Sequence, residues 1–124
     1  MSKLEAVLNQ FEKVLQRLDE VLKEPKNAII RDSAIQRFEF CLDLSWKSVK
    51  AYLEDKKGII CSSPKDCFRE AYRQGLLEYS DSWIKYVDMR NETAHTYKEE
   101  IADKIYAELP SALTDFMGLL KALK

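Results

Sequence analysis

Residues 4–25, LEAVLNQFEKVLQRLDEVLKEP, determine the fold class of this chain. The apolar residues in this stretch have the spacing of a helix. Because proline cannot continue a helix, this predicted helix should end before Pro25. An intermolecular coiled coil would show the same pattern, but about three heptads in a short domain more often pack within a bundle. The helical pattern consists of apolar residues at alternating steps of three and four positions, with charged residues between them: Leu4, Val7, Leu8, Phe11, Val14, Leu15, Leu18, Val21 and Leu22.

Two more helices are predicted beyond this stretch. From Ile35 to Tyr52, apolar residues again recur at helical steps, and Lys56-Lys57-Gly58 supplies the cations and the glycine that commonly end a helix. Ser63-Pro64 should begin a third, shorter helix, with a hydroxyl cap and a proline in the first turn. That helix should end near Gly75.

The last part of the chain predicts a fourth helix that leads into residues 89–97 and a final amphipathic run from Ile101 to Leu123. Pro110 lies inside that final run and is expected to kink it or to divide it into two helices. A chain of 124 residues with 33% charged residues, three Gly and three Pro suits long helices in one domain, residues 1–124. The predicted fold is all-α, an up-and-down bundle of about five helices.

Charge and cysteine content limit the possible functions. The formal net charge is −1, so any contact with RNA has to come from a local patch. Cys41, Cys61 and Cys67 are odd in number and lack a C-x-x-C pair, and no secretory or membrane-length apolar segment is present. These features predict a reduced, cytoplasmic protein with buried free cysteines, no membrane contact and no cofactor. A zinc site built from the cysteines and His95 is conceivable, but the ligand spacing does not favour it.

The stretch Met89–Tyr97 is the best candidate for a functional site, because it contains the only histidine of the chain. On a helical wheel with Trp83 at zero, the apolar stripe spans roughly 0 to 100°. Asn91 then lies inside the stripe, and Arg90 and His95 each lie about 20° outside it. Polar groups on a buried face need a partner, such as a cleft, a second subunit or a ligand. An Arg and a His five positions apart are, by themselves, a weak signal of function.

Several segments together carry a resemblance to a known family. They are residues 32–40 (DSAIQRFEF), 44–47 (LSWK), 63–64 (SP), 68–71 (FREA), Trp83 and 90–97 (RNETAHTY). With these segments the chain resembles the HEPN family, specifically the nucleotidyltransferase substrate-binding or HepT-like proteins that are partners of minimal nucleotidyltransferases. The last segment matches the family motif Arg-x4-His and the x-Tyr that follows it. The resemblance implies a HEPN-like four-helix-bundle core.

The resemblance implies a toxin that acts as a metal-independent endoribonuclease. Arg90 and His95 would then be the catalytic pair, with Asn91 as polar support. The partner nucleotidyltransferase would silence the toxin by adenylylating Tyr97. If the fourth helix continued, Tyr97 would lie about 20° from Arg90 on the wheel, where an added adenylate would compete with RNA phosphate.

The resemblance also implies an alternative, in which the chain is a non-catalytic nucleotide- or substrate-binding subunit of a two-component nucleotidyltransferase. Arg90, Asn91 and His95 would then contact a nucleotide. The acidic pI of about 5.9 favours this alternative slightly, while the intact motif favours the toxin. In either case the expected partners are a second copy of the chain, a small nucleotidyltransferase, and RNA or a nucleotide as ligand. The chain has no Gly-Ser followed by paired aspartates, so it is not expected to be a transferase itself.

Overall fold

The computed structural model describes residues 1–124 and contains helices but no strand. A π-helical turn, Leu53–Lys57, extends the second helix, and a 3-10 turn, Thr93–His95, follows the fourth. No helix has both the length and the apolar character needed to cross a membrane. The prediction of an all-α fold with about five helices is confirmed. The helices are α1 (Lys3–Leu22), α2 (Ala28–Tyr52), α3 (Pro64–Arg73), α4 (Asp81–Glu92) and α5 (Glu99–Leu123).

The helices begin and end at residues suited to those positions. The Asn27 side chain accepts a hydrogen bond from the third residue beyond it at 2.8 Å, which caps the start of α2. Ser63 caps α3 in the same way at 3.2 Å. Gly58 has φ +64°, a left-handed conformation that costs glycine little, and it ends the turn that extends α2. The end at Gly58 and the cap at Ser63 agree with the sequence-based predictions, whereas α2 starts seven residues before Ile35, where the predicted apolar pattern begins.

One hydrophobic core holds the five helices together, and the ring of Phe116 on α5 lies at its centre. Phe116 is fully buried, and four other aromatic rings surround it. These rings come from α1, α2 and α4, so a single side chain of α5 contacts three other helices. The ring centroids lie between 5.6 and 6.2 Å from that of Phe116: Phe11, Phe38, Trp83 and Tyr86.

Pro110 does not divide the last helix, because α5 is a single helix that continues on both sides of it. Of the two predicted effects of Pro110, a kink or a division, the division into two helices is therefore wrong. Proline in a helix interior removes one backbone hydrogen bond and costs about 3 kcal/mol. Pro110 itself is exposed, while Leu109 and Leu113 beside it are buried. Burial of the apolar face on both sides of the proline offsets the cost and keeps the helix continuous.

Two of the three cysteines are paired, contrary to the prediction of a reduced protein with free cysteines. Cys61 precedes α3 and Cys67 lies in its first turn, which brings their Cα atoms to 5.1 Å and allows a disulfide. The separation of six positions between these two cysteines does not predict a disulfide, because the pairing depends on how the loop meets the helix. Cys41 is free and buried, and burial raises the pKa of its thiol to about 12.

An ion cluster around Arg31 fixes the start of α5 against α2. The Arg31 side chain is only 6% exposed, and its guanidinium lies 2.6 Å from Glu99 and 3.1 Å from Asp103. Asp32 contacts the same guanidinium at 3.0 Å. Lys26 also contacts Asp103, at 3.1 Å. Glu99 is the first residue of α5, so this cluster positions the chain just beyond Tyr97.

Candidate functional site

The candidate site lies where α4 ends and the chain turns towards α5. The sequence-based position of Tyr97 assumed that the fourth helix continues through Tyr97. That continuous helix is not formed, because α4 ends at Glu92. The Thr93 hydroxyl donates to the Arg90 carbonyl at 2.6 Å, and the Thr96 hydroxyl donates to the Thr93 carbonyl at 3.0 Å. Hydroxyls that bond to nearby carbonyls give the backbone an alternative to helix continuation.

Arg90 is held by two carboxylates from α2. Its Nε and Nη2 each donate to one oxygen of Asp43 at 3.2 Å, a bidentate contact. Its Nη1 donates to the Thr93 hydroxyl at 3.2 Å and lies 2.9 Å from a Glu39 oxygen. The hydrogen bond to Asp43, followed by the charges of Asp43 and Glu39, raises the pKa of Arg90 above its ordinary value. The guanidinium therefore stays charged, but it is not free.

His95 and Tyr97 lie close together on the surface. Their ring centroids are 6.2 Å apart and the rings are nearly perpendicular. His95 is exposed, and Tyr97 is 76% exposed. The structure thus places Tyr97 beside His95, whereas the wheel had placed it beside Arg90. An adenylate attached to Tyr97 would therefore cover the imidazole of His95 before it reached Arg90.

Asn91 does not lie on a buried face, contrary to the sequence-based prediction. It is exposed, as is Ala94, which the sequence placed within the apolar stripe. The stripe of α4 ends with Met89, because the chain leaves the helix one turn later. The surface formed by Asn91, Ala94 and His95 is open in this structure and available to a ligand or another chain.

Sequence reasoning missed the two carboxylates that hold Arg90. Glu39 and Asp43 lie one turn apart on α2, on the same face of the helix. They add two negative charges around one positive charge, so the site around Arg90 has a net negative charge. The only signal in sequence was their spacing of four residues, which is common on solvated helix faces.

No group of three His, Cys, Asp or Glu side chains in the structure could hold a metal ion. The zinc site considered from the sequence is not formed, because Cys61 and Cys67 are bonded to each other. The groups available for chemistry at this site are the imidazole of His95, the guanidinium of Arg90 and the phenol of Tyr97. An imidazole can transfer protons, a guanidinium can bind a phosphate, and a phenol can accept a nucleotidyl group.

Comparisons with known proteins match most or all of the chain. A family described as nucleotidyltransferase substrate binding protein like matches residues 1–124. A relative from Haemophilus influenzae, named probable ribonuclease HepT, is 38% identical over 105 residues, which cover 78% of this chain and 72% of that protein.

Two solved structures have the same fold. A protein from Thermus thermophilus has a TM-score of 0.88 at 38% identity, covering 92% of this chain and 98% of that one. A Haemophilus influenzae protein, described as revealing the fold of a substrate-binding domain of a nucleotidyltransferase, has a TM-score of 0.71 at 31% identity. That match covers 97% of this chain and 96% of the other.

Proposed function

This chain belongs to the family of nucleotidyltransferase substrate-binding-like proteins and is HepT-like, and on that premise we propose that it is a toxin-type, metal-independent endoribonuclease. The single observation that carries the proposal is the placement of an exposed imidazole, His95, in the turn after an anchored Arg90. A partner nucleotidyltransferase would silence the enzyme by adenylylating Tyr97. We place the protein in the cytoplasm, where RNA and such a partner would both be available.

The chemistry needs only the groups at this site and the RNA itself. The 2′-hydroxyl oxygen of a ribose attacks the adjacent phosphorus while the bond from phosphorus to the 5′-oxygen breaks. His95 takes the proton of the 2′-hydroxyl or gives a proton to the leaving oxygen, and Arg90 binds the charged phosphorane. The products are a 2′,3′-cyclic phosphate and a 5′-hydroxyl.

A homodimer would complete this site. One imidazole serves as base or as acid within one step, and the chain has a single histidine. A two-fold interface over the open surface of Asn91, Ala94 and His95 would bring a second His95 and a second Arg90 to the same RNA. Sedimentation at micromolar concentration measures the state directly, and a strict monomer would contradict this part of the proposal.

The carboxylates around Arg90 favour the second candidate, a non-catalytic nucleotide- or substrate-binding subunit. Three hydrogen bonds of the guanidinium go to Asp43 and Thr93, and a Glu39 oxygen lies 2.9 Å from Nη1, the nitrogen that also donates to Thr93. An RNA phosphate would have to displace Glu39 while Asp43 keeps the guanidinium oriented. If Glu39 is never displaced, Arg90 is structural, and the chain binds its ligand without cleaving it.

The experiment that separates the two candidates is incubation of the purified protein with total RNA in EDTA. A ribonuclease of this type generates fragments ending in a 2′,3′-cyclic phosphate, which periodate resistance and mass spectrometry of the fragments detect. RNA that remains intact, with nucleotide binding that calorimetry detects, would support the binding subunit instead.

Adenylylation of Tyr97 is a separate expected outcome. When the protein is incubated with ATP and its partner nucleotidyltransferase, the Tyr97 oxygen should attack the α-phosphate and release pyrophosphate. The intact mass should increase by one or more adenylates, and Tyr97→Phe should abolish the increase. Tyr79, which is 72% exposed, provides a matched control, since Tyr79→Phe should leave the modification unchanged. Equal modification of the Tyr97→Phe protein would rule out this assignment.

A further inference from the structure

A basic pocket with an aromatic wall lies between α1 and α2, away from the turn that carries His95. It has a volume of about 260 Å³ and is lined by Lys3, Val7, Trp46, Lys47, Lys50 and Ala51. No carboxylate lines it, although the chain as a whole has a net charge of −1. Such a pocket attracts a ligand that carries negative charge and has an apolar, planar part.

The three lysines of this pocket are free to bind an anion. None of them takes part in the ion pairs of the structure, whereas Lys23, Lys65 and Lys85 all pair with carboxylates. The ammonium of Lys50 lies 6.0 Å from the centroid of the Trp46 ring, so a cation and an aromatic face occupy the same wall. The indole is partly buried, which keeps it in one place.

The α2 residues of the pocket lie one to two turns beyond Asp43, the residue that holds Arg90. Lys47 follows Asp43 by four positions, so the two side chains are neighbours on one face of the helix. Lys50 lies about 10 Å beyond Asp43 along the axis. Glu54 and Asp55 border the adjoining depression and close the basic stretch at its far end. A flexible anionic chain bound at Arg90 can therefore reach the lysines within one or two of its repeating units.

We propose that this pocket is a nucleotide-binding subsite for RNA, in which a base stacks on the indole of Trp46 and the adjoining phosphate is bound by Lys47 and Lys50. The inference rests on the proposed function, because the RNA runs from this subsite to Arg90 and His95. Stacking on an aromatic side chain accepts any base, so the subsite contributes affinity without sequence preference. It also explains how a chain with no overall positive charge can hold RNA.

The test measures binding of a short oligoadenylate RNA to the His95→Ala protein, in which the RNA stays intact. Binding should quench tryptophan fluorescence, and Trp46→Phe should abolish the quenching, because Trp83 is buried in the core. The double variant Lys47→Gln/Lys50→Gln should bind about tenfold more weakly and show a shallower salt dependence. Lys13→Gln/Lys121→Gln is the matched control, since both lysines are exposed and lie outside the pocket. Circular dichroism verifies that each variant is folded.

Quenching that persists in Trp46→Phe, or unchanged RNA binding by Lys47→Gln/Lys50→Gln, would overturn the subsite. AMP provides a second probe: AMP that binds as tightly as the oligonucleotide would identify a mononucleotide as the ligand and overturn the RNA path. Failure of the proposed function is distinguishable, because cleavage of RNA in EDTA is measured separately on protein with an intact His95. If the protein with an intact His95 cleaves RNA and the pocket variants still bind RNA normally, the subsite is refuted but the proposed function is not.

Discussion

Replacing His95 with alanine is expected to slow RNA cleavage by about 100- to 10,000-fold, the usual contribution of a positioned general acid or base. The imidazole is the only one in the chain, so no neighbouring histidine of the same protomer can replace it. The His95 side chain is exposed and packs against Tyr97 alone among the aromatic rings, so its removal should leave the fold and its stability unchanged. Initial rates of cleavage of a labelled RNA in EDTA measure the effect.

Asn91→Ala tests the supporting role of this residue in the same experiment, because Asn91 is also exposed and lies in the same stretch. It should lose far less activity than His95→Ala, in keeping with a supporting role. Arg90→Ala should also lose cleavage, but it leaves Asp43 and Glu39 without their cation, so its stability has to be measured alongside. Cleavage that persists in both Arg90→Ala and His95→Ala would exclude the ribonuclease proposal.

Replacing Phe116 with alanine is expected to lower the free energy of unfolding by about 3–5 kcal/mol, as for other buried phenylalanines. The ring contacts Phe11, Phe38, Trp83 and Tyr86, so its loss leaves a cavity bounded by α1, α2 and α4 that cannot close from one side. Urea unfolding followed by circular dichroism measures the change.

The neighbouring residue, Met117, is 44% exposed and provides the control. Met117→Ala removes a side chain of similar length from the same helix and should change the free energy of unfolding by no more than about 0.5 kcal/mol. If both variants unfold at the same urea concentration, Phe116 does not link the helices as the structure indicates.

The sequence was most informative where a structure depends on residues close together in the chain. The apolar spacing of residues 4–22 requires only a helix and a core, and α1 has these bounds to within one residue. Gly58 and Ser63 mark helix ends through their own backbone or side chain, and both do so here. The division of the last helix at Pro110 was predicted wrongly. The free-energy cost of a proline inside a helix is local, but burial of the apolar face of α5, which depends on packing, outweighs it.

The candidate site was predicted less completely, because its geometry depends on distant residues. Glu39 and Asp43 precede Arg90 by 51 and 47 positions, and nothing local indicates which face of α2 meets α4. The position of Tyr97 was inferred from a wheel that assumes a continuous helix. The hydroxyls of Thr93 and Thr96, just beyond the end of α4, bond to carbonyls three residues earlier and help to end that helix early. The residue types of the site were identifiable from the sequence, but their partners were not.

The ion cluster around Arg31 has a consequence for the effect of pH. The hydrogen bond from Arg31 to Glu99 lowers the pKa of the Glu99 carboxyl below the ordinary 4.5. Lys26, followed by Arg31, lowers the pKa of Asp103 below 3.8. Carboxyls with a lowered folded pKa contribute stability above their unfolded pKa and lose it as the pH falls through the folded value. Glu99 and Asp103 therefore lose their contribution to stability only in acid, as the pH falls from about 5 through their lowered pKa values, and keep it at neutral pH. A cleavage rate that changes between about pH 6 and 8 would then not reflect loosening of the chain beside Tyr97 through loss of these ion pairs.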